Sequence, residues 1–216
     1  MNRVIGHLAV IFVLTSSSSA LAGPILDQFF VPISATTDDP LDGSFGDCCR
    51  AQTFTAGITG LLTRVDLLLR RSGEIEVGIY DTLAGAPGAP LQVLPSQFVN
   101  GPADLQHVFV SFIGFSVPVI AGHVYAIVGL GRPDPGVVFW GGAFGAGATY
   151  AGGERFFDFG GLGQGPWIGG GGADDNGFRT FVDSSVQPIP EPTSILLLVT
   201  AMVLCRLGRR PRRLTT

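Results

Sequence analysis

The sequence predicts an all-β domain, a jelly-roll-like antiparallel β-sandwich, and three observations lead to this prediction. In residues 74–81, Ile75, Val77 and Ile79 alternate with Glu74, Glu76 and Tyr80, as expected for a half-buried strand. Many other short runs are rich in β-branched and aromatic residues and lie between turns of Gly, Pro and Asp. No part of 23–187 keeps a helical period, so almost no helix is expected there.

The predicted strands follow one another along the chain, each ended by a turn signal. Val108, Val110 and Phe112 share one face of their strand, and the run 123–128 is apolar enough for the centre of a sheet. A strand near each end of the domain favours the jelly-roll order. Strands are predicted at 28–33, 51–56, 62–69, 74–81, 91–94, 107–113, 123–128, 136–140, 149–150, 155–159 and 177–183, and loops at 38–47, 82–90 and 160–172.

The first 22 residues have the features of a secretory signal peptide. Arg3 supplies a basic start, residues 8–14 form an apolar helical segment, and Ala20-Leu-Ala22 is a small-residue cleavage site before Gly23. Export would therefore leave a domain that covers about 23–187 and a separate C-terminal segment, 188–216.

The C-terminal segment has three successive parts. Pro190-Glu191-Pro192 is stiff and extended. Ile195–Cys205 is an apolar run of eleven residues, short for a membrane span, and predicts a short transmembrane helix; a buried core helix at the chain end is the alternative. The arginines that follow favour the cytoplasmic side of a membrane; they are Arg206, Arg209, Arg210, Arg212 and Arg213.

Together these parts resemble a PEP-CTERM sorting signal. The resemblance implies a Gram-negative bacterial protein that is held transiently at the inner membrane. An exosortase-type enzyme would then process it, and the protein would reach the cell surface or be secreted.

The composition of 23–187 excludes one class of partner. This part has 16 acidic residues and seven arginines, a net charge of −9, and the whole chain has no lysine. A domain this acidic is unsuited to the phosphate backbone, so nucleic acid is not expected as a ligand.

The body of the chain carries a second resemblance. Its segments Ala51-Gln-Thr-Phe-Thr-Ala-Gly57, Leu62-Thr-Arg-Val-Asp-Leu-Leu-Leu69, Val77-Gly-Ile-Tyr-Asp81 and Ile120-Ala-Gly-His-Val-Tyr-Ala-Ile-Val128 are similar to those of secreted bacterial β-sandwiches. Such modules are jelly rolls akin to carbohydrate-binding modules, most of them without an established activity. The resemblance implies a jelly-roll fold, while the sorting segment beside a domain without catalytic clusters favours a structural or adhesive role, with exopolysaccharide as a partner.

Residues for catalysis are few. The sequence has no nucleophile elbow, zinc-protease helix or phosphate-binding loop, and His107 and His123 are interpreted as structural. The domain is therefore predicted to be non-enzymatic, with a binding or structural role at the cell surface or in the extracellular matrix. The alternatives are a secreted polysaccharide hydrolase and a self-assembling matrix component.

Three aromatic residues are candidates for ligand binding. Trp140, Tyr150 and Trp167 lie in glycine-rich segments, where an exposed ring would stack on a sugar. Core packing is the alternative for each of them.

Two acidic segments are candidates for structural calcium, which prefers oxygen ligands. Strands near the two ends of a jelly roll tend to be neighbours, so these segments are expected to meet. Ordinary turn chemistry is the alternative. The candidate ligands are Asp38, Asp39, Asp42, Asp47, Asp174 and Asp175.

Cys48 and Cys49 are the two cysteines of the domain. A disulfide between these neighbours is the first interpretation for an oxidising compartment. Free or intermolecular thiols and a redox or metal role are the alternatives.

Overall fold

The computed structural model describes residues 23–32, 37–41, 49–102, 106–132, 136–145, 149–158, 166–171 and 174–185. The predicted signal peptide and the sorting segment, with its Pro-Glu-Pro sequence, apolar helix and arginines, lie outside the described residues. Within the described part there is no helix, and so none that is long and apolar enough to cross a membrane.

Fourteen strands account for most of the described chain. They are β1 Ile25–Phe30, β2 Thr37–Pro40, β3 Cys49–Thr55, β4 Gly60–Arg70, β5 Ser72–Leu83, β6 Ala86–Val93, β7 Gln97–Asn100, β8 Val108–Val119, β9 Val124–Gly131, β10 Phe139–Phe144, β11 Arg155–Asp158, β12 Trp167–Gly169, β13 Asp174–Asn176 and β14 Phe178–Asp183.

The strands form two antiparallel sheets of seven strands each. The front sheet runs β1-β14-β4-β10-β13, with β8 also paired to β4 and β2 to β10. The back sheet runs β12-β11-β3-β9-β5-β6, with β7 also paired to β5. The prediction of an all-β, sandwich-like domain of antiparallel strands is confirmed, and β9 is central in the back sheet as expected.

The main core lies between the sheets. Ile75, Val77 and Ile79 of β5 face it, as their alternation predicts, and pack with Phe54 of β3 and Phe178 of β14. Removing one such side chain from water stabilises the fold by about 1.5–3 kcal/mol before conformational entropy is subtracted. The inward positions of both sheets therefore supply most of the apolar burial.

Residues 149–150, predicted as a strand, lie outside the strands, and several other predictions are wrong in their boundaries, two of them by the most. The predicted loop 82–90 is a tight hairpin, in which Ala84 (φ 53°) and Gly85 (φ 87°) form the turn between β5 and β6. Positive φ at both central residues matches the twist of the flanking strands. The predicted break after Ile113 is an irregularity inside β8, which continues to Val119.

Two predicted loops and the second acidic segment also contain strands. Residues 37–40 form β2 and residues 174–176 form β13, and both of these strands pair with β10. Trp167–Gly169, inside the predicted glycine-rich loop, forms β12 at the edge of the back sheet. The sequence did not predict these strands because their residues are polar or glycine, which have low β-propensity. Pairing with neighbouring strands outweighs that propensity here.

The first and last strands are neighbours, as the sequence predicts. β1 pairs with β14 from Ile25 opposite Val182 to Phe30 opposite Phe178. On its other side β14 pairs with β4. The last strand therefore fills the space between the first strand and the rest of the front sheet.

Candidate binding surface

Trp140 is not available as a surface ligand contact. It is fully buried in the main core, and its Nε1 donates a 2.8 Å hydrogen bond to the carbonyl oxygen of Gly177. The core-packing alternative applies to Trp140, because its position in β10 places the side chain on the inner face of the front sheet.

Tyr150 also has a structural environment. Its ring packs edge-on against Phe178, with centroids 5.1 Å apart, and its hydroxyl donates to Oε1 of Gln28 at 2.7 Å. Burial, followed by the charges of Asp27 and Asp175, raises the pKa of Tyr150 to about 12, although a backbone hydrogen bond of Thr55 opposes the rise. The ring ties β1 to the main core.

Trp167 lies on the outer face of the back sheet, which we call the closed face. There a second apolar cluster combines buried Ala51, Tyr80, Ala126, Val128 and Phe156 with half-buried Ala86, Leu130 and Trp167. The strands at the two ends of this sheet, β6 and β12, approach within 8 Å between Cα atoms. The sheet therefore curls around its own side chains.

Glycine contributes to this closure at one position. A Cβ atom on Gly78 would come within 2.7 Å of Cε2 of Tyr80 and 3.0 Å of Cγ2 of Val93. With no side chain at 78, the ring of Tyr80 can lie against the sheet. Trp167 is half-buried and packs on this cluster, so the core-packing alternative applies to it as well.

The two acidic segments meet, as predicted, but arginines lie between their carboxylates. Nη1 of Arg155 lies 2.9 Å from Asp39, and Nη2 of the same side chain lies 3.4 Å from Asp174. Arg50 approaches Asp39 from β3 at 3.4 Å. Since these groups are largely buried, removing one partner would leave the others as uncompensated buried charge.

Asp175 is held by uncharged donors. Its carboxylate accepts from Nε2 of Gln52 and from the backbone N–H of Tyr150, both at 2.7 Å. Burial raises the pKa of Asp175 above its usual value against these hydrogen bonds, and the charges of Asp174 and Glu154 add to the rise. The same Gln52 accepts from the backbone N–H of Asn176, so one side chain bridges the sheets here.

Asp38 faces the other way, toward the outside of the front sheet. It accepts from Nε of Arg70 at 2.6 Å and lies 2.8 Å from Nε2 of His107, whose ring packs over Gly141. Burial raises the pKa of Asp38, but the bonds from Arg70 and His107 outweigh it and hold the pKa below its usual value. His107 is thus a structural partner of Asp38.

Among the described residues, no group of three or more His, Cys, Asp or Glu side chains could hold a metal ion. Four of the six calcium candidates have the partners given above, while Asp42 and Asp47 lie outside the described residues, so calcium binding stays a prediction. Cys49 is disulfide-bonded, and Cys48 lies outside the described residues.

The outer face of the front sheet, which we call the open face, has a different composition. Residues paired across four strands form two straight rows, and Leu68 and Phe109 continue the pattern beside them. The rows are Leu26-Phe181-Arg64-Ile113 and Phe29-Arg179-Asp66-Ser111. Phe29 is 56% exposed and Ile113 is 73% exposed.

Two arginines of the open face differ in their partners. Arg64 makes two 2.7 Å hydrogen bonds to Asp66 and lies 4.1 Å from the centroid of Phe181. Arg179 lies 3.8 Å from the centroid of Phe109 and has no carboxylate partner among the described residues. Since a stacked guanidinium keeps the N–H groups at its edge, Arg179 retains donors for another molecule.

Two arginines and a phenylalanine also lie together at the C-terminal end of β4. Phe139 lies under Arg70 at 4.6 Å and under Arg71 at 5.0 Å. Arg70 is bound to Asp38, whereas exposed Arg71 has no carboxylate partner within the described part of the chain. The open face thus has two places where a neutralised arginine, an unpaired arginine and phenylalanine rings lie together.

Sequence analysis did not single out these residues. The available signal was that Arg64 and Asp66 alternate with buried Val65 and Leu67 in β4. In β14, Arg179 and Phe181 alternate with buried Thr180 and Val182 in the same way. Without the register, nothing in the sequence shows that these outward positions share one surface.

Comparison of the chain with protein-family models, curated proteins and solved structures gives no match. The open face offers guanidinium donors and phenylalanine rings on a rigid sheet, and those groups are suited to binding.

Proposed function

We propose that this is an exported, non-enzymatic β-sandwich protein of the cell surface or extracellular matrix, and that its open face binds exopolysaccharide. The observation that supports the proposal is the pair of rows, each of which places a phenylalanine next to an arginine: exposed Phe29 beside Arg179, and half-buried Phe181 beside Arg64. Phenylalanine faces attract the C–H groups of a sugar ring, and arginine edges donate hydrogen bonds to its oxygens.

The dimensions of the open face suit a polymer. Four strands with about 4.8 Å between neighbours give a width of about 15 Å, and the long strands β4 and β8 extend the face in the other direction. The face is built on paired strands, so its side chains are held in place before a ligand arrives. A jelly-roll order belongs to the same proposal and is supported by the pairing of β1 with β14.

Binding can be tested with full-length protein and exopolysaccharide from the producing cells. A Phe29→Ala, Phe181→Ala double variant should lose at least tenfold in affinity, since each stacked ring contributes about 1 kcal/mol. Leu83→Ala is the matched control, because Leu83 is also exposed but lies on the back sheet beside the β5–β6 turn. Equal binding by the double variant and the control would refute this use of the open face.

The proposed route to the surface is separate from the binding site. Residues 1–22 would direct export, and the Pro190-Glu191-Pro192 sequence would be recognised by an exosortase-type enzyme at the inner membrane. Replacing these three residues by alanine should leave the protein in the membrane fraction. Normal release of that variant would show that the sequence is not a sorting signal.

Self-assembly is a second candidate because of the edge of β1. No described strand pairs with its outer side, and Ile25, Leu26, Phe29 and Val31 expose apolar surface there. Unprotected apolar edges favour pairing with another chain. If copies associate through β1, Ile25→Lys should lower the sedimentation coefficient, and a wild-type protein that is monomeric at all concentrations would exclude the idea.

The hydrolase alternative has a direct test. An enzyme of this kind would release reducing ends from the exopolysaccharide, and two positioned carboxylates would be needed. We expect no release above the rate of a heat-unfolded sample.

A further inference from the structure

We infer that the ligand of the open face is an acidic polysaccharide, whose sugar carboxylates are bound by Arg179 and Arg71. The inference rests on the proposed function and names the chemical class of its ligand. Its basis is the distribution of charge over the described structure.

The arginines of this acidic domain are concentrated on one face. Of the seven between residues 23 and 187, four belong to the open face and its extension along β4: Arg64, Arg70, Arg71 and Arg179. Two of these are neutralised, Arg64 by Asp66 and Arg70 by Asp38. A protein with a net charge of −9 in this part thus presents, on one surface, two arginines that have no carboxylate partner in the described ranges.

Each unpaired arginine is oriented by phenylalanine. The guanidinium of Arg179 lies over Phe109, and that of Arg71 lies beside Phe139. Stacking restricts the guanidinium plane, so less conformational entropy is lost when its edge binds a carboxylate through two parallel hydrogen bonds. This arrangement favours a planar anion over a neutral hydroxyl.

The repeat of the arrangement favours a polymer. Arg179 is opposite Asp66, and Arg71 follows the end of the same strand, five residues farther along the chain. At about 3.3 Å per residue, five residues correspond to about 16 Å, so one polymer chain with carboxylates on its sugars would reach both arginines. Two linked contacts bind more tightly than either alone.

Nucleic acid is the other polyanion to consider, and the charges oppose it. Nonspecific binding of phosphate backbones depends on many lysine and arginine contacts, while this chain has no lysine and the open face has only two arginines without a carboxylate partner among the described residues. At physiological ionic strength charges interact over about 8 Å, so arginines in contact with a sugar carboxylate act more strongly than distant aspartates.

The test uses full-length protein with polygalacturonate and with its fully methyl-esterified form, which has the same backbone without charge. Wild-type protein should bind the acid form at least tenfold more tightly. Arg179→Ala should lower that affinity about tenfold or more, as for loss of a charged hydrogen bond, and leave binding of the ester unchanged. Arg179→Lys should retain part of the affinity, because lysine keeps the charge and loses the planar fork.

Arg71→Ala should reduce binding of long polygalacturonate and have little effect on a disaccharide. Arg132→Ala is the matched control, since Arg132 is exposed on the back sheet, 3.9 Å from Glu76, and its variant should bind as wild type does. Thermal unfolding of each variant, expected within a few degrees of wild type, separates lost binding from lost folding.

The outcomes separate the two proposals. Equal affinity for acid and ester forms would overturn the carboxylate inference while the open face remained a polysaccharide site. Failure to bind the cell's own exopolysaccharide would overturn the proposed function itself. Arg179-dependent binding of single-stranded DNA as tight as that of polygalacturonate would overturn the inference in favour of nucleic acid.

Discussion

The two sheets differ in how they use their outer faces. The back sheet curls until β6 and β12 approach each other and buries Ala51, Ala126 and Val128 beneath Tyr80 and Phe156. The front sheet leaves Phe29 and Ile113 exposed among arginines. A concave sheet can serve as a binding cleft, but here that sheet is filled by its own side chains, and the other sheet has the free surface.

The largest expected difference is between phenylalanines on the two faces. Phe156→Ala should lower the free energy of unfolding by about 3 kcal/mol, since its ring is buried in the closed face. Phe29→Ala should change it by less than about 0.5 kcal/mol, because more than half of the side chain is in water. Urea unfolding of both variants measures the difference, and equal costs would mean that the closed face is not a second core.

A smaller difference is expected when side chains are enlarged. Ala126→Leu should cost about 2 kcal/mol, because Ala126 is fully buried opposite Tyr80 and the added methylenes would displace its neighbours in the closed face. Ser111→Leu on the open face should be neutral within about 0.5 kcal/mol. Calorimetric melting tests both, and tolerance of leucine at 126 would show a loosely packed face.

Within the open face, two arginines should differ. Arg64→Ala should cost about 1–2 kcal/mol, because Asp66 is only 1% exposed and would lose its hydrogen-bonding partner. Arg179→Ala should cost less than about 0.5 kcal/mol, since no described carboxylate depends on it. A stability loss for Arg179→Ala as large as that of Arg64→Ala would assign Arg179 a structural role.

The smallest effect concerns alkaline pH. Burial and then the charge of Glu76 raise the pKa of Tyr80 on the closed face, as burial does for Tyr150 between the sheets. A raised pKa means that the folded state prefers neutral tyrosine, so stability should decline as pH rises from about 10, the usual tyrosine pKa, toward about 12. Tyr80→Phe and Tyr150→Phe should each reduce this decline when the free energy of unfolding is measured against pH. If the Tyr80→Phe curve ran parallel to the wild-type curve, Tyr80 would be exposed to water in the folded state.

The sequence predicts the class of the fold, but not which outer sheet face is buried and which is exposed. Periodicity shows that Ile75, Val77 and Ile79 share a face, since that depends on one strand alone. It also placed Tyr80 on the opposite face, which is correct, but gave no sign that this face is buried. Whether an outward position meets water depends on the curvature of the sheet, and curvature depends on the pairing of distant strands.

The aromatic candidates are less exposed than the sequence suggests, for a related reason. The glycine-rich surroundings of Trp140, Tyr150 and Trp167 favour exposed rings, yet all three pack against apolar clusters. The open-face residues come from β1, β4, β8 and β14, whose alignment depends on register across the sheet. The meeting of Asp39 with Asp174 was predictable from the ends of the fold, whereas Arg155 between them was not.

The position of β14 also determines when this protein can finish folding. Among the described strands β1 pairs only with β14, so its backbone hydrogen bonds to the sheet cannot form until residues 178–183 are available. A ribosome or a membrane channel delivers a chain from its N-terminus onward. The first strand therefore stays unpaired until nearly the whole domain has emerged. Once β14 is inserted, Ile25 and Val182 lie side by side, and whatever is attached before and after the domain leaves from one place.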